Sequence, residues 1–388
     1  MRLTTDNKAT WLVLALCHIA GMLDLVILPL WVGGMMQTYG FAPTSAGAMV
    51  TIYLVGTLIS NAVLARQFGR LPEKAIAVIG FAIPAICFFL MTYVPGITVL
   101  NSFVALAILH FIGGAGAGAG LVMVHGLIGR SANPHRLFAV VNMGVSLWAI
   151  GFYAITPMFM ATMGVNAVFM AAAIVIAMAV LGALLAFPSS PPAVAKVTRE
   201  AAPTGILTLC FAGVVMLQTS QAMTFSFVER IGDFRAFGAD RVAAMLVVGS
   251  FVPLLAPLLA GLLQNRLPAI NVAIGGLLFH GLLSATVSNA TGFVLYGVAA
   301  SLMIATVVFT HTFVFGLLAR LDPSGRTNAA TPSMLMIGTA IGPFVGGAVI
   351  DLIGYPAVGL VAFGAALIGA GCFYTVKQRL AVLPMVAA

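Results

Sequence analysis

Apolar runs of about 20 residues recur along the whole chain, separated by short polar connections. Runs of that length span a bilayer as helices. They do not alternate apolar and polar positions, as the short strands of a membrane β-barrel do. The pattern predicts an all-α membrane protein with twelve transmembrane helices. They lie at about 10–36, 43–66, 72–94, 97–128, 136–162 and 164–187, then about 204–228, 240–263, 267–288, 291–319, 327–351 and 355–376. Many connections contain Pro, Gly or Asn, as helix ends require. The first run, from about Ala9 to Met36, is too long for the apolar region of a signal peptide, and no small-residue cleavage pattern closes it.

The pattern repeats at half the chain length. Gly126-Leu127-Ile128-Gly129-Arg130, followed by Arg136, returns 190 residues later as Gly316-Leu317-Leu318-Ala319-Arg320, followed by Arg326. Arg70-Leu71-Pro72 returns as Arg266-Leu267-Pro268. Each copy stands where an apolar run gives way to a charged loop. Two six-helix bundles are expected, residues 1–187 and 204–388, joined by a linker at 188–203. Two similar halves in the same orientation point to a transporter built around a central site.

Composition excludes a water-facing globule. Hydrophobic residues make up 62% of the chain and charged residues 7%, against about 25% charged in soluble domains. The net charge of +8 lies in the short loops, so it describes membrane topology rather than nucleic-acid binding. With the N-terminus inside, all but three of the 17 Lys and Arg residues fall on the cytoplasmic side. The exceptions, Arg230, Arg235 and Arg241, share one outer loop with Glu229, Asp233 and Asp240. The bias predicts cytoplasmic N- and C-termini and a cytoplasmic linker holding Pro188, Pro191, Pro192, Lys196, Arg199 and Pro203. Cys17, Cys87, Cys210 and Cys372 lie inside apolar segments, with neither metal-ligand nor disulfide spacing, and read as small packing residues.

Two six-helix halves with this topology resemble the major facilitator superfamily over nearly the whole chain. The family's G-x-x-x-D-R-x-G-R motif after the second span meets Ala62, Arg66, Gln67, Phe68, Gly69 and Arg70. Gly69 and Arg70 fit and are the gating residues the resemblance implies; Arg66 stands at the acidic position, so the family's charge relay is not reproduced there. The R-x-x-Q-G-x-G pattern of the fourth span meets His110-Phe111-Ile112-Gly113-Gly114-Ala115-Gly116, with His110 at the Arg position. Gly338 to Gly347 matches G-x-x-x-G-P-x-x-G-G, with Gly342 and Pro343 as further gating candidates. In drug–proton antiporters that pattern marks the fifth span, whereas here it lies in the eleventh. It therefore supports the fold, and its small residues serve helix bending and close packing.

Asp24 is the sharpest candidate for chemistry. It stands about 14 residues into the first span, roughly 20 Å along the axis at 1.5 Å per residue. A lone carboxylate at that depth costs several kcal/mol (about 3 on insertion scales) unless paired, protonated or wet. Helical spacing puts Cys17, Gly21, Leu28 and Trp31 on its face, which makes Asp24 a candidate proton-coupling acid with Trp31 as a substrate-side aromatic. The opposing reading is a carboxylate bonded to a neighbouring helix for packing alone.

His110 and His311, inside the fourth and tenth spans, are the other proton-coupling candidates, because imidazole titrates near neutrality; a neutral His bonded across helices is the alternative. His18 lies about 240° around the helix from Asp24, His280 is on the ninth span, which is peripheral in the resembled family, and His125 and His135 are expected in solvent at a span end. In the seventh span Gln218, Gln221 and Phe225 share a face and suit substrate orientation. Asn142 and Trp148 of the fifth span are further substrate candidates. The 20 methionines are scattered, with no tight Met or His cluster in the seventh or eighth span.

The expected function is secondary transport of a small organic solute by alternating access, coupled to protons through Asp24. The expected partners are the solute, protons and the lipid bilayer, with no nucleic acid, cofactor or metal and a monomeric state. An uncoupled facilitator and a metal or metal-chelate transporter are the near alternatives, and a polytopic membrane enzyme or a receptor with a transporter fold those of a different class. A polytopic enzyme lacks its motifs: there is no Walker A pattern, no His-Glu-x-x-His and no second intramembrane acid near Asp24. Ala- and Gly-rich helices with minimal loops associate the chain with a bacterial inner membrane.

Overall fold

A segment in hydrocarbon must satisfy its backbone groups internally, which leaves helix as the conformation of these apolar runs. In a computed structural model of the protein, which describes residues 8–68, 70–94, 99–131, 134–188, 202–322, 327 and 331–382, they are helical. Among the described residues there is no strand.

Among the described residues, twelve stretches of helix are long and apolar enough to cross a membrane: Thr10–Tyr39, Pro43–Leu64, Glu73–Met91, Ser102–Gly129, Arg136–Met163, Asn166–Ala186, Thr204–Phe225, Ala239–Leu263, Ala269–Asn289, Phe293–Leu321, Thr331–Leu352 and Tyr355–Val382. They are called spans one to twelve below. The chain divides into two compact units, Met1–Val194 and Ala195–Ala388, with six spans each.

Each unit uses the same neighbour scheme. In the first unit the first span packs on the fourth, fifth and sixth, the fourth on the second and third, and the third on the sixth. In the second unit the seventh packs on the tenth, eleventh and twelfth, the tenth on the eighth and ninth, and the ninth on the twelfth. Large side chains sealed inside are Trp31, Tyr53, Phe81, Phe88 and Phe169 in the first unit, and Phe227, Tyr296 and Phe373 in the second. Outward positions are apolar as well: Leu185 is 80% exposed and Leu262 is 75% exposed. That surface requires lipid rather than water around it.

Glycine lets some helices touch backbone to backbone. A Cβ on Gly114 would lie 1.8 Å from the Tyr53 carbonyl oxygen, so the fourth span presses directly on the second. Thr57 fastens the same contact, its Oγ1 donating to the Gly114 oxygen at 3.0 Å. In the eleventh span a Cβ on Gly342 would meet Ala222 Cβ at 2.6 Å and Met223 N at 2.7 Å of the seventh. The Gly338–Gly347 motif is thus where spans seven and eleven close on each other, with Pro343 inside the helix.

Two spans are not the continuous helices that their apolar runs suggest. The first is two helices, Lys8–Gly21 and Asp24–Tyr39. The eighth consists of helices Ala239–Gly249 and Ala256–Leu263 with a 3₁₀ turn Val252–Leu254 between them, where Pro253 and Pro257 remove backbone donors. Of the 188–203 linker, residues 189–201 lie outside the described residues, as does Gly69. The linker's far end is tied down: the Ala202 N–H donates to the Leu321 oxygen at 2.7 Å.

Candidate functional site

The interruption of the first span falls beside Asp24. Gly21 is a poor helix residue, and a Cβ there would lie 2.6 Å from Leu121 Cδ1. Downstream, Pro29 cannot donate to the Leu25 carbonyl. Asp24 is thereby the first residue of a half-helix, 4% exposed. Its carboxylate lies against the backbone N–H groups of Asp24 and Leu25 at the N-terminus of that half-helix, and the Leu25 N–H also donates to the Met22 oxygen at 3.2 Å. Tyr53 of the second span is near enough to interact with it electrostatically, and the Tyr53 hydroxyl has no hydrogen-bond partner. The Tyr153 hydroxyl of the fifth span donates to the Val26 carbonyl, holding the start of the half-helix. A buried acid, the N-terminus of a half-helix and an unpaired phenol therefore meet at mid-span.

Trp31 and His110 form the next layer. Trp31 Nε1–H donates to His110 Nε2 at 3.1 Å, and His110 Nδ1 reaches the Leu106 oxygen at 2.6 Å. Indole only donates and a carbonyl only accepts, so His110 is neutral with its proton on Nδ1. Phe88 and Phe169 enclose the pair. A second proton on His110 would displace the Trp31 donor. We expect Trp31→Phe to lower thermal stability by about 1–3 kcal/mol, because it strands a buried acceptor. Trp31→Phe combined with His110→Leu should recover part of that loss in a double-mutant cycle; simple additivity would show that the hydrogen bond carries nothing.

His18, His125 and Asn142 form a layer that spacing within one helix does not reveal. His125 Nε2 lies 3.2 Å from His18 Nδ1, and His18 Nε2 lies 3.4 Å from Asn142 Oδ1. Asn142 Nδ2 donates to the Phe138 oxygen at 2.9 Å, which turns Oδ1 toward His18. The expectation that His125 sits in solvent is corrected. It is half-buried, against His18 and the edge of Phe138, because the fourth span continues to Gly129 before its loop begins. The side chain of His135 lies outside the described residues.

The other candidates occupy separate places. Trp148 stacks on Phe152 of its own span. Gln218 is buried and donates through Nε2 to Thr339 Oγ1 of the eleventh span at 3.0 Å. Gln221 and Phe225 are buried as well, and Gln221 Oε1, Ser220 Oγ and Thr224 Oγ1 have no hydrogen-bond partner. Unpaired buried oxygens in one stretch of helix are unusual and mark a surface that a polar ligand can satisfy. His311 is buried on Phe315, rings stacked at 5.3 Å, with Nε2 unpartnered. His280 is fully buried beside Ser284. Arg70 is exposed. No group of three or more His, Cys, Asp or Glu suited to a metal occurs among the described residues.

Glu229, in the connection after the seventh span, was not singled out from sequence. It follows the span by only four residues and is half-buried, with Oε2 unpartnered. Burial pushes its carboxyl from an ordinary 4.5 up to about 7, Arg230 pulling against the rise and Asp233 adding to it. An acid raised on folding binds more protons folded than unfolded, so stability falls as pH climbs from about 4.5 to about 7 and levels off above. Thermal melts across that window should show this slope in the wild type. Glu229→Gln should flatten it and melt higher at pH 8; an unchanged slope would assign it elsewhere.

The sequence profile of the Major Facilitator Superfamily matches residues 13–331. No curated protein matches the chain in sequence. Among solved structures, a variant of the nucleoside transporter NupG superposes with a TM-score of 0.76 at 15% identity, covering 95% of this chain and 99% of its own. A D-xylose–proton symporter superposes with a TM-score of 0.73 at 12% identity, covering 95% of this chain and 97% of its own. At these identities the superpositions speak for the fold alone.

Proposed function

The chain belongs to the Major Facilitator Superfamily, a family of membrane transporters rather than enzymes, and from that premise we propose that it is a proton-coupled secondary transporter of a small polar organic solute. The observation that carries this reading is Asp24: one buried carboxylate at the break of the first span, held by the N-terminus of a half-helix. Discontinuous helices of this kind form substrate and ion sites near the midplane of transporters. Protonation removes a buried charge and so favours whichever state buries Asp24 more completely. Deprotonation favours the state that wets it. Alternating exposure of Asp24 to the two sides of the membrane then couples proton and solute movement.

In this reading Asp24 carries the proton, His110 couples to it through its hold on Trp31, and His311 is the titratable counterpart in the second unit. Within the second unit Gln221 contacts the solute through its unpartnered oxygen, flanked by Gln218 and Phe225; within the first unit Trp31, Asn142 and Trp148 are the substrate residues. Gly342 and Pro343 serve gating through the contact of the seventh and eleventh spans, and Gly69 and Arg70 through the loop after the second. The two solved neighbours are named for a nucleoside and a pentose; both are polar solutes without carboxylates, which suits an amide- and hydroxyl-lined face. N- and C-termini on the cytoplasmic side and a bacterial inner membrane belong to the same proposal.

Uptake of a mixed panel of sugars, nucleosides, amines, organic acids and metal chelates into proteoliposomes, under an imposed pH gradient, tests it. One polar solute should accumulate, and a protonophore should collapse the accumulation. Flux indifferent to the gradient would replace the reading with a facilitator, and accumulation of a chelate alone would replace it with a metal carrier.

A further inference from the structure

The contacts between the first and fourth spans form an antiparallel ladder. His18 meets His125, Gly21 meets Leu121, and Trp31 meets His110. This register sets Asp24 level with Gly118, inside the glycine run of the fourth span. Along the first span the order is thus the His18–His125 pair, Asp24, and the Trp31–His110 pair, while the half-helix that begins at Asp24 packs on the second, fifth and sixth spans. His125 stands five residues before Arg130, where the span turns into the basic loop, and so lies between that loop and Asp24.

The hydrogen bonds of the pair have one consistent direction. Asn142 Oδ1 only accepts, so His18 carries its proton on Nε2. His18 Nδ1 then accepts, so His125 carries its proton on Nε2 and keeps a lone pair on Nδ1. Two neutral imidazoles in the same tautomer are joined head to tail.

We infer that the His125–His18 pair is the proton relay between the basic-loop end of the seam and Asp24. This rests on the reading of Asp24 as the coupling acid. A proton arriving from water binds His125 Nδ1. The proton on His125 Nε2 passes to His18 Nδ1 across the 3.2 Å hydrogen bond. His18 gives up the proton on Nε2, which Asn142 had held, to the Asp24 carboxylate. One proton enters, one leaves, and both rings end protonated on Nδ1. The last step crosses six residues of helix, about 9 Å of rise, and is bridged by water. Rotation of the rings or a returning proton resets the tautomers. Asn142 is a positioning residue that fixes which His18 nitrogen carries the proton.

Other charged and titratable groups around the pair are few. On the elements packed against the first half-helix, Arg130 and Arg136 close the loop ends of the fourth and fifth spans. They lie over Phe68 and Trp11 respectively. The fourth span also carries His110 and the fifth Tyr153, while the sixth carries no ionisable side chain. The third span brings Cys87, Glu73 and Lys74, whose Nζ donates to the Leu184 oxygen. Cys17, beside His18 in sequence, gives its thiol to the Ala179 oxygen. Asp24 and Glu73 are the unit's only carboxylates among the described residues.

The test is a pH jump followed by infrared spectroscopy on protein in lipid nanodiscs, with the proton itself as the probe. The carboxylic-acid carbonyl band of Asp24 is identified by its loss in Asp24→Asn. In His125→Gln and His18→Gln the band should reach the wild-type amplitude but rise about a hundredfold more slowly, the scale of losing a positioned acid–base group. Added imidazole should restore the rate in His125→Gln. Unchanged rates in both variants would overturn the relay and leave the coupling reading standing. Absence of any Asp24 band in the wild type would overturn the coupling reading and the relay with it. Should the variants not fold, nitrogen-labelled histidine resonances of the wild type decide. Both rings in the Nε2–H form, coupled across the 125–18 hydrogen bond, support the relay, and uncoupled rings of mixed tautomer overturn it.

Discussion

Asp24→Asn is expected to abolish solute accumulation driven by a pH gradient while leaving the protein folded and able to exchange solute at equilibrium. Asparagine keeps the shape of the side chain and an oxygen for the backbone N–H groups of residues 24 and 25. It removes the ionisation that couples the two halves of the cycle. At one proton per solute, a gradient of one pH unit supports about tenfold accumulation, since 1.4 kcal/mol is a factor of about ten. The variant should come to a ratio of about one, the limit for a carrier with no driving force. Its thermal stability should equal or exceed that of the wild type, because a buried charge costs several kcal/mol, about 3 on insertion scales, and asparagine carries none. Accumulation by the variant equal to wild type would remove Asp24 from the mechanism.

The second large effect is structural and lies where the second and fourth spans meet. Gly114→Val would drive a side chain into the Tyr53 carbonyl, 1.8 Å from where its Cβ must lie. It would also pull the Gly114 oxygen away from Thr57 Oγ1. Overpacking costs about 1–3 kcal/mol where neighbours can shift. Here the obstacle is backbone, so the second and fourth spans must separate and about 3 kcal/mol is a lower bound. Loss of monodisperse protein on size exclusion, or a large fall in melting temperature, should follow. Gly129→Ala, with open space around its Cβ, should change neither. A wild-type melt for Gly114→Val would mean that the two spans do not meet as described.

The spans were legible because lipid imposes a length and a composition on every crossing helix. Twelve runs became twelve spans, with ends moved by at most six residues. The break in the first span was not legible. Gly21-Met22-Leu23 is as apolar as its flanks, and the break falls where Gly21 lies against Leu121 of the fourth span, with no room for a Cβ. The eighth span carried a clearer sign in Pro253 and Pro257, masked by the strength of its hydropathy.

Asp24 stood out because a carboxylate in an apolar run is rare and expensive. The partners of the histidines did not stand out, because they are set between helices rather than along them. His18 and His125 are 107 residues apart in sequence and meet only once the antiparallel register of the first and fourth spans is known. The same holds for Gln218 and Thr339, whose hydrogen bond joins the seventh and eleventh spans. His110 was visible as a titratable group, but its neutral, doubly bonded state follows from Trp31 and the Leu106 carbonyl. Which oxygens of the seventh span remain unpaired depended on those contacts as well.

The most direct test of proton coupling is a measurement of proton movement driven by the solute alone. Wild-type proteoliposomes carrying a trapped pH-sensitive dye, with no imposed pH gradient, receive an outward gradient of the solute that the uptake panel identifies. The account predicts a pH change inside the vesicles that follows solute efflux, vanishes with a protonophore and is absent in Asp24→Asn. Solute efflux from the wild type with no pH change would contradict it.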